Sequence, residues 1–221
     1  MAARTCQNLA MTRLARILPA LSIVTVGLAA FAIVPVVPVR ADVKFTSVWA
    51  APDAQTVSFK GQKVAALVML DDWERRVPRE EALARELTAR GMTGVPAYLI
   101  IPKEELKSAD RARDWFEKVS VAGVVALRPV AKETVKQHTA ELWTSPSYAT
   151  LSGYYPYGWA TVYRFGSRED TIIVVEAMIY KVSTGALVWG GVSEVTNPKN
   201  LQTAIGEIVK EAANKIQKQF R

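Results

Sequence analysis

The sequence predicts a domain of the α/β (or α+β) class, in which helices pack on a single mixed sheet of about five strands. Three observations predict it. Short apolar runs alternate with longer amphipathic segments between residues 63 and 127. Residues 171–196 form two β runs joined by the turn Ser183-Thr184-Gly185, which indicates a C-terminal antiparallel hairpin. Apolar residues at helical spacing follow this hairpin.

Residues 1–41 have the composition of an export signal. They contain four arginines and no acidic residue, and they are almost wholly apolar from position 17 to position 39. Because the segment ends in a small residue, we expect a secretory signal peptide that is cleaved after Ala41. The alternative is an uncleaved membrane anchor, since residues 17–39 are nearly long enough to span a bilayer.

Removal of this leader changes the charge and the cysteine content. The whole chain carries +7, of which the leader arginines account for four, so residues 42–221 carry +3. This mild charge does not indicate a nucleic-acid partner. Cys6, the only cysteine, also lies in the leader, so the exported chain relies on its core rather than on disulfides. We expect a protein of the periplasm or cell envelope of a Gram-negative bacterium.

The remaining chain divides into an N-terminal arm, residues 42–60, and a single domain, residues 61–221. In the arm, Trp49 is expected to pin the chain to the core. Strands are predicted at residues 63–70, 95–101 and 121–127. Helices are predicted over 78–90 and over 103–120, the second either in one piece or in two pieces that break near Ser108, and these connections make the strands parallel. Pro129 indicates an edge or a bulge beside the third strand.

The hairpin is the predicted centre of the sheet. Both faces of its first strand are apolar, which is typical of a buried strand, and Gly185 suits the positive φ of the turn. The second strand is expected to place Leu187, Trp189 and Val195 on one face and Val188 and Val192 on the other. The last helix should begin near Pro198 and present an apolar stripe: Leu201, Ala204, Ile205, Ile208, Ala212, Ile216 and Phe220.

Acidic residues are the first candidates for chemistry. Asp71 and Asp72 follow the first strand, at the edge where α/β sheets bind ligands, and Glu176 lies within an apolar strand. Such carboxylates can serve as acid and base in a periplasmic hydrolase or a glycan-processing enzyme. The alternative for Asp71 and Asp72 is a solvated loop linked to nearby arginines. The alternative for Glu176 is a position at a sheet edge or under a loop.

His138 is the only histidine of the chain. It lies in a polar stretch with no second histidine and no cysteine, whereas zinc sites use several such ligands. An ordinary surface position is therefore expected for His138. The sequence predicts no metal site and no cofactor.

An aromatic segment at residues 148–163 contains five of the seven tyrosines. Its rings alternate with glycine and proline, which is the composition of a binding loop with rigid apolar faces and polar tips. The candidate binding residues, which should then be exposed, are Tyr154, Tyr155, Tyr157 and Trp159. The alternative is a flap whose rings cover the open face of the sheet.

Several motifs resemble those of uncharacterised exported envelope proteins of bacteria: Arg75-Arg76, residues 91–98, the aromatic segment at 153–159 and the hairpin sequence at 179–198. The layout is also similar to the periplasmic α/β domains of curli-secretion lipoproteins and to the N-terminal domain of TolB. This resemblance implies an assembly or interaction module rather than an enzyme. The chain has no cysteine at the cleavage point, so the lipid anchor of many such proteins is not implied.

These observations together predict a non-enzymatic interaction module that acts in envelope assembly or maintenance. Its expected partner is an envelope protein or a glycan. Contact with a membrane is expected only if residues 17–39 are retained as an anchor. The alternative is the hydrolase or glycan-processing enzyme that uses the carboxylates near Asp71.

Overall fold

The computed structural model describes residues 42–131, 138–162, 172–196 and 201–219. The strands are β1 (Val43–Ala50), β2 (Lys63–Val68), β3 (Thr93–Pro96), β4 (Gly123–Val130), β5 (Ile172–Lys181) and β6 (Leu187–Thr196). The helices are α1 (Trp73–Ala89), α2 (Ala109–Lys118), the short α3 (Ala140–Trp143), α4 (Leu151–Ala160) and α5 (Leu201–Gln219). They form one mixed sheet with helices packed on it, which confirms the predicted fold class.

The order of the strands in the sheet is β1-β6-β5-β4-β2-β3. β2 pairs in parallel with β3 and β4, as expected for strands that helices connect. β5 pairs antiparallel with both β4 and β6, so the predicted hairpin lies inside the sheet. Its turn contains Gly185 at a φ of 69°, a conformation that glycine adopts without strain.

The sheet has one strand more than the five expected, because the N-terminal arm forms β1. β1 pairs antiparallel with β6 and forms one edge of the sheet. Trp49 is partly buried and packs against the core, as the sequence indicates. The other edge is β3.

The two faces of the sheet bury two separate cores. α1 and α5 pack on one face, and α2, α3 and α4 pack on the other. In β5, Val175 and Ala177 point to the α1 and α5 side, whereas Val174 and Met178 point to the α4 side. Four stripe residues of α5 are buried as predicted, Ala204, Ile205, Ile208 and Ala212.

One face assignment in the hairpin is wrong. Leu187 belongs to the core beneath α4, whereas Trp189 and Val195 face α1 and α5. Ile179 pairs with Trp189 and Tyr180 pairs with Leu187, so β6 carries one extra residue at this point. Such a bulge reverses the alternation of side chains, and the sequence pattern does not reveal it.

The strand expected at residues 95–101 is shorter than predicted and begins earlier, at Thr93. β3 ends at Pro96, and a single 3-10 turn covers Ala97–Leu99. The backbone N–H of Tyr98 donates to the carboxylate of Glu80 on α1, with a distance of 2.8 Å. The carboxylate of Glu80, rather than a carbonyl group of the neighbouring strand, thus accepts the hydrogen bond from Tyr98, and β3 does not continue to this residue.

Two prolines occupy positions that differ from the prediction. α1 begins at Trp73, because Asp72 caps it by accepting from the N–H of Arg75, and Pro78 lies inside the helix. Pro129 lies in a central strand, but the pairing of β4 with β2 ends at Leu127. The missing N–H of Pro129 therefore costs no hydrogen bond on that side.

Among the described residues, no helix has the length and apolar character needed to cross a membrane. The predicted leader, residues 1–41, lies outside the described part of the chain, as do residues 132–137 and 163–171 and the start of the predicted last helix at 197–200.

Candidate functional site

The four candidate binding residues lie on a helix, α4, rather than on a loop. Thr150 caps this helix by accepting from the N–H of Gly153 at 3.1 Å. Glycine and proline disfavour a helix, so tertiary packing must hold the segment in this form. A Cβ atom on Gly158 would lie 2.5 Å from Sδ of Met69, which shows how closely α4 approaches the end of β2.

Three of the four candidate rings are buried. The exposed fraction is 0% for Tyr154, 1% for Tyr155 and 6% for Trp159, while Tyr157 is partly buried. The expectation that these rings are exposed is wrong, because α4 lies against Met69 and the sheet. The rings cover the face of the sheet, which is the alternative that the sequence left open. Binding through α4 stays a prediction.

The rings of α4 meet two separate charged clusters. Tyr154 and Tyr157, three residues apart, contact Arg128 and lie on one side of the helix. Tyr155 and Trp159, four residues apart, lie beside Arg76 of α1. α4 therefore contacts a charged pair on one face of the sheet and a charged group at the start of α1.

The first cluster surrounds the carboxylate of Glu176 on β5. Glu176 lies directly opposite Arg128 of β4, and both side chains point to the α4 side. Oε1 accepts from Nε2 of His138 at 2.6 Å and from the hydroxyl of Tyr148 at 2.8 Å. Oε2 accepts from Nε of Arg128 at 2.7 Å and from the hydroxyl of Tyr154 at 3.1 Å. A carboxylate offers about four acceptor positions, so the protein itself occupies all of them.

The electrostatics of this cluster favour a charged carboxylate. Burial acts to raise the pKa of Glu176, but the hydrogen bond from His138 and the charge of Arg128 lower it below its usual value. Burial and the nearby Glu176 raise the pKa of Tyr154 well above its usual value, so its hydroxyl remains a donor. Because an ionised carboxylate only accepts, Nε2 of His138 must carry the shared proton.

Two sequence interpretations are corrected here. His138 is not a surface residue: it is 8% exposed and contacts Glu176, Trp143 and Tyr148. Glu176 lies neither at a sheet edge nor under a loop, but in a central strand with 0% exposure. Strand register, which the sequence does not show, places Glu176 opposite Arg128. His138 lies outside the strands, and its contact with Glu176 is a tertiary contact that no local pattern indicates.

The carboxylates near the end of β2 have structural partners. Asp71 forms an ion pair with Lys107 at 2.7 Å. Asp72 caps α1 and lies 3.2 Å from Nε of Arg75. The charged groups of these residues are exposed at the surface, which agrees with the salt-linked loop that the sequence offered as an alternative.

The second cluster joins Arg76 and Glu80 of α1 to the far side of α4. Nε of Arg76 lies 3.1 Å from Oε1 of Glu80, and both side chains are buried. The carboxylate of Glu80 also accepts from the N–H groups of Val68 and Tyr98. Burial raises the pKa of Glu80 to about 7, against the opposing effects of Arg76 and these N–H groups.

Four polar atoms of this second cluster are buried without a hydrogen bond of normal geometry among the described residues: Nε and Nη2 of Arg76, the hydroxyl of Tyr155 and the indole Nε1 of Trp159. Nε of Arg76 is the atom that lies within ion-pair distance of Glu80. The neighbouring indole of Trp159 acts to lower the pKa of the Tyr155 hydroxyl, against the larger effect of burial. The guanidinium of Arg76 lies 4.7 Å from the ring centre of Trp73 and 5.9 Å from that of Trp159. The ring centres of Tyr155 and Trp159 are 6.3 Å apart.

Sequence reasoning missed Arg128 and Arg76 as members of these clusters. A signal for Arg128 was present, because it is the one charged residue in an apolar strand and so needs a buried partner of opposite charge. Glu176 is likewise the only acidic residue of β5. No such signal marks Arg76, which stands among other arginines.

Within the described residues, no three potential metal ligands lie close enough together to hold a metal ion.

Known proteins that resemble this chain do so only weakly. No family model and no curated protein matches the sequence. Solved structures that resemble the chain include two crystal forms of the PelC dodecamer from Paraburkholderia phytofirmans, one of them a point variant. The identities are 16% and 17% and the TM-scores 0.41 and 0.39, over 76% of this chain and 95% or 94% of theirs. A likeness this weak transfers no function to this chain.

Proposed function

We propose that this chain is an exported, non-enzymatic interaction module of the cell envelope. The observation that supports this proposal is the burial and complete hydrogen bonding of Glu176, the strongest catalytic candidate. An acid or base catalyst must come within hydrogen-bond reach of its substrate. Four protein groups occupy the oxygens of Glu176, and its side chain has no exposure. Glu176 therefore holds the fold together rather than acting on a substrate.

The remaining carboxylate candidates support the same proposal. Asp71 is engaged in an ion pair and Asp72 in a helix cap, and both residues are exposed at the surface rather than held in a pocket. The sequence of residues 1–41 supports export to the periplasm or envelope. A partner in that compartment is an envelope protein or a glycan.

A candidate contact surface lies at the β3 edge of the domain. Leu99 is 66% exposed, and it borders a cavity of about 390 Å³ between α1 and β3. Ala84, Pro96 and Tyr98 also line this cavity. An exposed apolar side chain in the turn that follows the edge strand β3 suits a protein contact.

Crosslinking in intact cells tests the proposal. The full-length chain is expressed in a Gram-negative host with a photo-crosslinking amino acid at Leu99, at Tyr157 of α4, or at Asp110 on the exposed face of α2 as a control. We expect a specific adduct from Leu99 or Tyr157, in the periplasmic or envelope fraction, and none from Asp110. Equal adducts at all three positions, or none at any, would contradict the proposal.

A further inference from the structure

Three buried donors of the second cluster, Nη2 of Arg76, the hydroxyl of Tyr155 and Nε1 of Trp159, form no hydrogen bond of normal geometry among the described residues. Arg76 and Tyr155 are each 1% exposed and Trp159 is 6% exposed. A buried polar group without a partner costs about 1–3 kcal/mol, so folded proteins retain few of them. Three in one cluster indicate that another group completes it.

The chemistry of the three atoms restricts what that group can be. Guanidinium and indole nitrogens only donate hydrogen bonds, and the hydroxyl of Tyr155 can donate a third. The missing partner must therefore be an acceptor. An oxyanion accepts from several donors at once and matches the planar guanidinium of Arg76.

Positive charge also surrounds the cluster on its exposed side. Nζ of Lys103 lies 5.4 Å from the ring centre of Trp73, and Nζ of Lys107 lies 5.7 Å from that of Trp159. Both lysines are exposed. Asp71 pairs with Lys107 and Glu80 with Arg76, so an incoming anion competes with one carboxylate on each side.

The position in the fold agrees with a ligand site. Glu80 accepts from the N–H of Val68, the last residue of β2, and Arg76 lies one helical turn before it. The cluster thus lies at the carboxyl end of a parallel strand, which is the edge where open α/β sheets bind ligands.

We propose that Arg76, Tyr155 and Trp159 form a recognition site for an oxyanion, the carboxylate or phosphate group of a ligand. The identification of that ligand as an envelope component rests on the proposed function, whereas the binding of the oxyanion does not. Nη2 of Arg76, the hydroxyl of Tyr155 and Nε1 of Trp159 donate to its oxygens. Lys103 and Lys107 attract it to the site.

Two variants of neighbouring tyrosines test this site. Tyr155→Phe removes a hydroxyl that forms no hydrogen bond of normal geometry among the described residues, so its melting temperature without ligand should equal or exceed that of the wild type. Tyr154→Phe removes a hydroxyl that donates to Glu176, so its melting temperature should fall. The two changes delete the same atom from adjacent residues of α4, and each serves as the control for the other.

The readout is the melting temperature of the exported protein at constant ionic strength, with chloride replaced by phosphate or by glucuronate. Binding at 100 times the Kd should raise it by roughly 5–10 °C in the wild type and in Tyr154→Phe. In Tyr155→Phe the apparent affinity should fall at least tenfold. A rise with glucuronate alone identifies a sugar-acid carboxylate as the ligand group, and a rise with phosphate alone identifies a phosphate.

Three results would overturn the site. One is the absence of any rise in the wild type. Another is an equal rise in Tyr155→Phe, since phosphate stabilises many proteins without binding them. The third is a fall in the ligand-free melting temperature of Tyr155→Phe as large as that of Tyr154→Phe, which would mean that a bound water already satisfies the hydroxyl. None of these depends on export or crosslinking, so failure of the site and failure of the proposed function can be told apart.

Discussion

At the scale of single residues, the pair Glu176 and Arg128 dominates the α4 side of the sheet. Two charges taken out of water carry a large desolvation cost, which their attraction offsets only when further hydrogen bonds satisfy them. Here the hydroxyls of Tyr148 and Tyr154 and the ring of His138 provide those bonds. The stability of the pair therefore depends on α4 and on the segment at 138–148. In turn, the hydrogen bonds to Glu176 hold these two segments in position.

The first prediction concerns this dependence. Arg128→Met should lower the free energy of unfolding by about 3–5 kcal/mol, because it leaves the carboxylate of Glu176 buried without its cation. Glu176→Gln should have an effect of similar size. The double variant should lose clearly less than the sum of the two, since neither charge is then left alone. Urea unfolding of the four proteins measures this cycle, and additive losses would show that the two groups do not interact.

A second prediction concerns His138, which the sequence alone places at the surface. The structure buries it against Glu176, so His138→Ala should cost about 1–3 kcal/mol by leaving Oε1 with one donor fewer. The same measurement on Ser183→Ala, an exposed position of the hairpin turn, serves as the control and should change by less than about 0.5 kcal/mol. A silent His138 variant would place this residue back at the surface.

The third prediction is a pH dependence due to Glu80. Its pKa is about 7 in the folded chain and that of an ordinary glutamate when unfolded, so the folded state binds more protons between these values. Stability must therefore fall as pH rises from about 5 to about 8, by roughly 2–3 kcal/mol for this group. Glu176, whose pKa is lowered, acts in the opposite sense and loses its contribution only as pH falls into the acid range.

The measurement is urea unfolding of the wild type and Glu80→Gln at pH 5 and pH 8. The difference in stability between the two proteins should shift in favour of the glutamine variant as pH rises, because glutamine does not ionise. An equal difference at both pH values would show that Glu80 titrates normally.

At the scale of secondary-structure elements, α4 shows what the sequence could and could not reveal. The concentration of aromatic rings at residues 154–159 is visible in the sequence alone and distinguishes this segment from the rest of the chain. Its helical form was hidden, because two glycines and Pro156 disfavour a helix locally. The packing of Gly158 on Met69 is a tertiary contact, and it overrides the local preference.

The fourth prediction tests that packing. Gly158→Ala should destabilise the protein by about 1–3 kcal/mol, because the new Cβ meets Sδ of Met69. Met69 is itself fully buried and has little room to move aside, so the crowding outweighs the gain in helix propensity. Ser152→Ala, on the exposed side of the same helix, should be neutral or slightly stabilising. Thermal melts of both variants decide the point. A more stable Gly158 variant would mean that α4 lies further from β2.

At the scale of the whole molecule, the fold was more predictable than the site. The parallel β2, β3 and β4 and the antiparallel hairpin follow from apolar runs and from the lengths of their connections, which the sequence displays directly. The meeting of Arg128 with Glu176 depends on strand register, and the meeting of Arg76 with Trp159 depends on how α1 and α4 approach each other. Neither the strand register nor the approach of the two helices can be inferred from a local sequence pattern.

The last prediction concerns the junction between the leader and the domain. β1 begins at Val43, directly after the expected cleavage point, and pairs with β6 along its length. Within it, Phe45 is buried and its ring centre lies 5.6 Å from that of Trp189. Cleavage after Ala41 leaves this strand whole, so mass analysis of the protein from the periplasm should find Asp42 at the N-terminus.

A chain that begins at Ala51 would lose β1, expose the edge of β6 and remove the cover of Trp189. Truncating buried aromatic contacts of this kind costs about 3–5 kcal/mol, so this shorter chain should melt well below a chain that begins at Asp42. Recovery of intact residues 1–41 in washed membranes would favour the anchor instead. Equal melting of the two chains would show that β1 is dispensable and that the N-terminal arm lies outside the folded domain.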